Sequence, residues 1–258
     1  MNQSNPDYYD YQIVTEKTPD DIDYRIYFKN QNGDIISPFH HVILYPVSHS
    51  RDIVNMVVEI PKYTNLKMEI SKEIVMNPII YDRKNEKIRK VNYKKGYPAH
   101  YGALPQTWEN CLVKDKFTNI PGDNDPMDCF DISDLPVKSG DIIQLKVLGC
   151  VAMIDQSEMD WKMIGINCAD PLSEKYLDMG YIPNDKMAEI IDFLCNYKLA
   201  DGKLPNTFYE KMFWTKKETL DIIEEQHRSW KELHTLSDHE KPLHVQRISL
   251  HDIKTYNM

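Results

Sequence analysis

Four carboxylates, Asp123, Asp125, Asp128 and Asp131, fall within nine positions of the stretch Gly122 to Asp131, GDNDPMDCFD. Like charges about 4 Å apart repel by about 1 kcal/mol in water and about 4 kcal/mol at an effective dielectric of about 20, so a fold that gathers them needs a compensating charge. Divalent cations supply one. All the ligand atoms on offer are oxygens, which suit hard ions such as Mg²⁺ better than zinc or copper. Pro121, Gly122 and Pro126 make the stretch a stiff turn rather than a helix. An EF-hand does not fit: the glycine position holds Asp128 and the terminal glutamate position holds Asp134. A solvated acidic loop is the alternative reading of this stretch alone.

Further charged residues lie on strand-like segments. Leu66, Met68 and Ile70 share one face of a strand pattern while Lys67 and Glu69 share the other. The apolar run IVNMVVEI, Ile53 to Ile60, suits a strand buried on both faces, yet it carries Glu59, which then needs a partner. Arg89 sits in a short strand pattern, Lys87 to Val91. Asp141-Ile142 opens the long β-rich run IIQLKVLGCVAMI, bent at Gly149 and ending at Asp155; after the connection QSEM a second strand begins Asp160-Trp161-Lys162. Period two puts Asp160 and Lys162 on one face, close to Asp155 across the hairpin.

The remaining elements frame these. DYRIYFK, Asn32-Gly33 and Ile35-Ile36 read as a hairpin, and Pro78 to Tyr81 as another short strand. YKKGYPAHYGALPQTW reads as a loop around His100, Tyr101 and Trp108. The C-terminal part reads as helical. Asn184 caps a helix with the inward stripe Met187, Ile190, Ile191 and Leu194, from whose last turn Tyr197-Lys198 emerge. Thr215 to Glu218, TKKE, is a capping box before a helix burying Leu220, Ile223, Trp230 and Leu233. Residues 1–22 read as a polar extension, 23–235 as one domain, and 236–258 as a tail whose His239, His244 and His251 are read as solvated rather than ligating.

Composition bounds the function classes. With 258 residues, 31 Lys and Arg against 40 Asp and Glu, and a net charge of −9, the chain suits neither a nucleic-acid partner nor an anionic membrane. No apolar stretch approaches a membrane span, and the start MNQSNPDYYDYQ has no basic or apolar run, so the expected location is cytoplasmic. Five scattered cysteines without a CxxC pair indicate neither a disulfide framework nor a zinc site.

Carboxylates (Glu59, Glu69, Asp123, Asp125, Asp128, Asp155, Asp160) and cations or phenols (Lys67, Arg89, Tyr101, Lys162, Tyr197, Lys198) together suggest phosphate chemistry. Carboxylates hold metals, metals bridge phosphate oxygens, and Lys, Arg and Tyr bind the oxygens left over. No P-loop, kinase signature or GxSxG is present, so water is the expected nucleophile in a metal-assisted hydrolysis. Taken singly, pairs such as Lys67 with Glu69 or Asp160 with Lys162 read better as ordinary exposed ion pairs worth well under about 1 kcal/mol.

The segment DNDPMDCF resembles the signature of the family I inorganic pyrophosphatases, and NMVVEIPKYTNLKMEI, NPIIYD, HYGALPQTWE, DWKMIGIN, ADPL and NYKLADGK resemble family segments in the family's order. VVEIP and PQTWE are nearest the eukaryotic branch. The resemblance implies an α+β fold with a mainly β core, a closed, twisted five-stranded OB-like barrel with peripheral helices and the site in its mouth. It implies Mg²⁺-dependent hydrolysis of pyrophosphate to two phosphates, several ions per site, with Mn²⁺ or Zn²⁺ as substitutes. It assigns Asp123, Asp128 and Asp160 to the activating metals, Asp125 to the general base, and Glu69 and Asp155 to metals that arrive with substrate. Lys67, Arg89, Tyr101, Lys162, Tyr197 and Lys198 match phosphate-binding and proton-network positions, and Glu59 supports them from behind.

Three departures stand out. Asn167 replaces an expected Asp, the loop from Arg89 to Tyr101 is slightly shorter than in eukaryotic relatives, and Lys62-Tyr63 replaces an Arg-Trp pair at the relatives' dimer contact. A homodimer is the expected assembly. A phosphohydrolase preferring polyphosphate or a nucleotide, and a non-catalytic scaffold, are the competing readings.

Overall fold

The computed structural model describes residues 11–91 and 93–236. The chain opens as an antiparallel sheet in which β1 (Gln12–Glu16) pairs with β2 (Arg25–Lys29), and β2 turns at Asn32-Gly33 into the short β3 (Ile35–Ile36). β4 (Ile53–Ile60) leaves this sheet; β5 (Met68–Ile70) and β6 (Ile79–Tyr81) return to it, giving the order β1-β2-β6-β5. A ribbon of β7 (Arg83–Lys84) and β8 (Lys87–Ile88) follows. β9 (His100–Ala103), β10 (Asp128–Asp131), β11 (Ile142–Asp155) and β12 (Glu158–Asn167) join β4 in the second sheet. The last elements are α1 (Asn184–Asn196), β13 (Thr207–Thr215) and α2 (Lys216–Leu233).

The second sheet closes on itself. β4 pairs with β9 and β11, β9 with β10, β10 runs parallel to β12, and β12 pairs back onto β11. This is the expected five-stranded ring, a small barrel whose closure removes sheet edges. β11 spans two neighbours because it bends: its register shifts between Val147 and Gly149, the bulge that Gly149 suggests. The turn into β12 is tighter than QSEM implies. Gln156 and Ser157 take φ of +50° and +77°, a two-residue hairpin turn, so β12 starts at Glu158.

Alternation divides the core. Phe130 and Ile164 belong to one cluster with Phe193 of α1, while Cys129 and Met163, one residue away on the same strands, belong to a second with Ile222 and Ile223 of α2. The site residues Asp128, Asp160 and Lys162 share the parity of Phe130 and Ile164, which sends them to the α1 side of the ring.

Several elements differ from expectation. Residues 12–16, within the expected extension, form β1, tied to β2 by five aligned residue pairs. β9 and β10 are strands where a loop and a stiff turn were expected; Tyr101 and Phe130 pair across them. Gly102 shows why the loop signal misled. A Cβ there would stand 2.0 Å from the carbonyl oxygen of Val57, so glycine serves close strand approach, not a turn. β13 interrupts the expected run of helices and adds an edge to β11. The strand expected to reach Val91 stops at Ile88, leaving Arg89 just beyond it. Pro183, not Asn184, occupies the α1 N-cap, whereas the Thr215–Glu218 capping box of α2 is complete. Among the cysteines, Cys129 and Cys150 are buried and the other three half-buried, all as free thiols. His239, His244 and His251 lie outside the described residues.

Substituting Gly102→Ala forces β4 and β9 apart and is expected to cost at least about 2 kcal/mol in a urea titration. At Gly33, φ is +86° with no atom within 4 Å of an added Cβ. Gly33→Ala is therefore expected to cost only about 1 kcal/mol, from backbone strain. Equal losses at the two positions would contradict the strand-approach argument.

Candidate active site

Strand register assembles the centre of the site. Asp128 of β10 stands opposite Lys162 of β12 in the parallel pair. The buried Lys162 ammonium donates to Asp128, to Asp160 at 2.5 Å and to the Tyr101 hydroxyl at 3.2 Å, and Tyr101 in turn donates to Asp128. Burial opposes the Lys162 charge, but the facing Asp128 and Asp160 carboxylates outweigh it and hold its pKa well above the ordinary value.

The acidic stretch is pinned rather than loose. Glu109 N donates to Asp125 O at 2.8 Å, Asn124 N to Glu109 O at 2.9 Å, and the buried Trp108 indole N–H to Asn124 Oδ1 at 2.9 Å. Trp108 thus clamps the loop as well as packing. Asp125 N closes a local turn on Asp123 Oδ1 at 3.0 Å, and the Lys72 ammonium pairs with the Asp125 carboxylate while donating to Asn124 O at 2.9 Å. Asp131, the fourth acid, does other work: it accepts from Ser133 and from Asn167 N, fixing a buried turn. Asn167, the departure noted in the sequence, ends there, with its side chain capping Ala169 N at 2.9 Å.

At this centre sequence reasoning missed one carboxylate, Glu109. Glu109, Asp123 and Asp160 each offer an oxygen, all three within 4.8 Å of one another. Glu109 is buried; Oε1 accepts from Trp161 N at 2.8 Å, and Oε2 has no hydrogen-bond partner among the described residues. Burial first, then the neighbouring acids, pushes Glu109 and Asp123 well above the ordinary carboxylate range and Asp160 up to about 6. The signal for Glu109 lay in the PQTWE segment, but a lone Glu after Trp has no spacing that distinguishes it.

Two further networks flank this centre. Lys67 donates to Glu69 at 2.7 Å, as their shared strand face predicts, and to Asp82 at 2.9 Å. Asp82 also accepts from Arg89 Nη1 at 2.9 Å, so one carboxylate joins both cations. On the other flank Lys198, just past the α1 C-terminus, pairs with Asp155, whose Oδ1 has no hydrogen-bond partner among the described residues. Burial lowers the Lys198 pKa despite that carboxylate. Tyr197 stacks on Phe193 at 5.1 Å between ring centroids. Burial raises its phenol pKa, and it lies in the fields of Lys162, Asp160, Lys67 and Asp155, between the networks. Glu59 sits behind, buried, accepting from Ile70 N at 2.7 Å; burial and the Asp128 charge raise its pKa. Thus the thirteen residues singled out from the sequence fall into adjoining networks, joined by Glu109, Asp82 and Lys72, which were not singled out.

The chain has relatives in both sequence and structure. The family profile described as inorganic pyrophosphatase matches residues 56–231. The mouse protein named inorganic pyrophosphatase 2, mitochondrial, is 42% identical over 232 residues, covering 82% of this chain and 70% of its own length. The structure of inorganic pyrophosphatase from Schistosoma japonicum superposes with a TM-score of 0.81 at 40% identity, over 86% of this chain and 80% of that one. A vacuolar soluble pyrophosphatase from Trypanosoma cruzi, lacking its N-terminal domain and solved in complex with PPi, gives 0.79 at 32% identity, over 92% and 96% of the two chains. A match of this extent in sequence, and of the same barrel in space, places the chain in the inorganic pyrophosphatase family.

Proposed function

We propose that the chain hydrolyses pyrophosphate to two phosphates with Mg²⁺ as its natural metal and Mn²⁺ or Zn²⁺ as substitutes. The observation that carries this reading is the carboxylate trio of buried Glu109 and Asp160 with half-buried Asp123, set beside the buried ammonium of Lys162. The donor set fits a hard divalent ion: it is all oxygen, Glu109 Oε2 and Asp155 Oδ1 have no hydrogen-bond partner among the described residues, and burial, with the neighbouring acids second, raises the trio's pKa values, so the ionised trio needs the charge a cation brings. When bound, the metal ions polarise phosphate oxygens and acidify the attacking water.

The chain's own residues supply the rest. Asp123, Asp128 and Asp160 hold the activating ions together with Glu109; both donors on Asp128 use Oδ2, which leaves Oδ1 for an ion. Glu69 and Asp155 hold ions that accompany the substrate. Asp125, half-exposed and oriented by Lys72, takes the proton of the attacking water. Lys67, Arg89 and Lys162 bind phosphate oxygens, and Tyr101, Tyr197 and Lys198 bind them while passing protons towards the leaving phosphate. Glu59 keeps β4 and β5 in register behind the site.

A groove of about 450 Å³ beside Glu69, Lys72 and Asp125 has room for a longer phosphate chain. Its lining sets Asp23, Glu69, Glu73 and Asp125 against Arg25, Lys72 and Arg83, so the side chains alone give a longer polyanion no net attraction. The proposal extends to one catalytic domain over residues 23–235, entered by β1, and to a cytoplasmic homodimer. Tyr63, 53% exposed with the Lys62 and Lys95 ammonium groups 4.8 and 5.8 Å from its ring centre, offers an aromatic surface for the partner. No described helix is long and apolar enough to cross a membrane, and one relative is named mitochondrial, so cell fractionation decides the location.

Phosphate release from pyrophosphate is expected to require Mg²⁺, to stop with EDTA, and to fall by about 10²- to 10⁴-fold in Asp125→Asn. Asp128→Ala should lose at least as much; a folded, metal-supplied chain that releases no phosphate would refute the reading. Stability should depend on pH with a definite sign. Carboxyls with raised folded-state pKa values bind protons that the unfolded chain has released, so without metal they lower stability as pH rises from about 4 through the Asp160 value of about 6. Mg²⁺ replaces those protons, so it should raise the melting temperature by several degrees at pH 7.5 and by much less at pH 5. An equal increment at both pH values would count against the trio as the metal site.

A further inference from the structure

Arg89 is gripped from a second side that the reaction does not explain. Asp201 lies in the single turn Leu199–Asp201 that follows Tyr197 and Lys198 and ends on Gly202, at φ +75°. Its Oδ2 accepts from Arg89 Nε at 3.2 Å and Nη2 at 3.0 Å, across 112 positions of sequence. Its Oδ1 accepts from Lys84 at 3.0 Å, and Lys84 also reaches the Asp201 carbonyl at 3.3 Å. The Arg89, Asp201 and Asp82 side chains are only 15%, 18% and 16% exposed, so these are ion pairs largely withdrawn from water.

The donor count decides what the grip does. A guanidinium has five N–H groups. Asp201 takes one from Nε and one from Nη2, and Asp82 takes one from Nη1. Among the described residues this leaves one N–H on each terminal nitrogen to address phosphate oxygens. Asp201 and Asp82 therefore orient the guanidinium without using up its phosphate-binding donors. The grip also couples separate parts of the site. Asp82 shares its oxygen between Arg89 and Lys67, while Asp201 ties Arg89 to the segment bearing Tyr197 and Lys198.

The geometry points to Asp201 as a positioning residue for pyrophosphate: acting through Arg89 and touching no substrate, it sets the angle at which the guanidinium meets a phosphate. This rests on the proposed phosphate-binding role of Arg89. A purely structural alternative is that Asp201 braces the β7–β8 ribbon through Lys84.

A double-mutant cycle on the full chain separates these, using Arg89→Ala, Asp201→Asn, Lys84→Ala and the Asp201→Asn/Arg89→Ala pair, with kcat and KM measured for pyrophosphate at saturating Mg²⁺. Asp201→Asn is expected to lower kcat/KM by about tenfold, mainly through KM, and to change it by less than about twofold when Arg89 is already alanine. Lys84→Ala, which removes the brace and leaves the Arg89 pair, should change kcat/KM by less than about threefold. A tenfold loss that persists without Arg89, or a Lys84→Ala loss as large as that of Asp201→Asn, would overturn the positioning role, as would an Asp201→Asn enzyme with wild-type KM. If Asp201→Asn lowers the melting temperature, Asp201→Glu, which keeps the charge at longer reach, should restore stability and part of the KM; restored stability alone would be a brace and overturns the inference. If Arg89→Ala itself leaves kcat/KM unchanged, the Arg89 assignment fails, a result distinct from failure of Asp201 alone.

Discussion

Repulsion among carboxylates at the mouth of the barrel is the constraint on which the rest of the structure depends. Asp123, Asp128, Asp155 and Asp160 meet there with Glu109, and the protein's own answer is the Lys162 ammonium, which contacts Asp128 and Asp160 together. Such a cluster, with Glu109 and Asp160 buried and the other three half-buried, is expensive to form, since each charge gives up much of its hydration before any attraction is gained. The outlay makes sense for a centre whose charge balance is completed from outside. Lys162 covers part of the deficit, and the oxygens of Glu109 and Asp155 that have no hydrogen-bond partner among the described residues mark what it does not cover.

The barrel serves this centre by keeping two faces apart. On β10 and β12, residues of one parity carry the site and its apolar floor, Phe130 and Ile164, while the other parity carries Cys129, Trp161 and Met163 into the core beneath α2. Trp161 and Trp214 meet edge to face at 5.1 Å on that second side, with Phe117 against both. Close packing on that side fixes the strands from which the site side chains on the other side project. The Trp108–Glu109 segment adds a second restraint, because its backbone carries the acidic loop at a fixed height above the strands.

Much of this was legible in the chain, and the omissions have physical reasons. Alternation exposed β2 and β5, a continuous apolar run exposed β4, and a long β-rich run with a tight connection exposed the β11–β12 hairpin; Gly149 foretold the bulge; TKKE foretold the α2 cap. β9 and β10 were hidden because proline and glycine signal turns to a local reading, whereas Gly102 is there for contact with a strand distant in sequence. The site residues stood out by type, but their association did not, since spacing cannot bring Asp128, Lys162 and Lys198 together; only the family motifs did so in advance. Glu109, Asp82 and Asp201 escaped because each is an ordinary single acid whose meaning comes from a partner far away, Trp161, Lys67 and Arg89 respectively.

The parallel pairing of β10 with β12 bears on how this chain can change over time. Asp128 faces Lys162 only because those strands meet in one register, and side chains reverse faces at every step. A single residue gained or lost inside either strand would carry Cys129 or Trp161 into the mouth and turn a carboxylate and a lysine into the apolar core. A change of length is therefore far costlier inside these two strands than in the exposed connections between elements. The strands vary most cheaply by substitution, the connections by insertion.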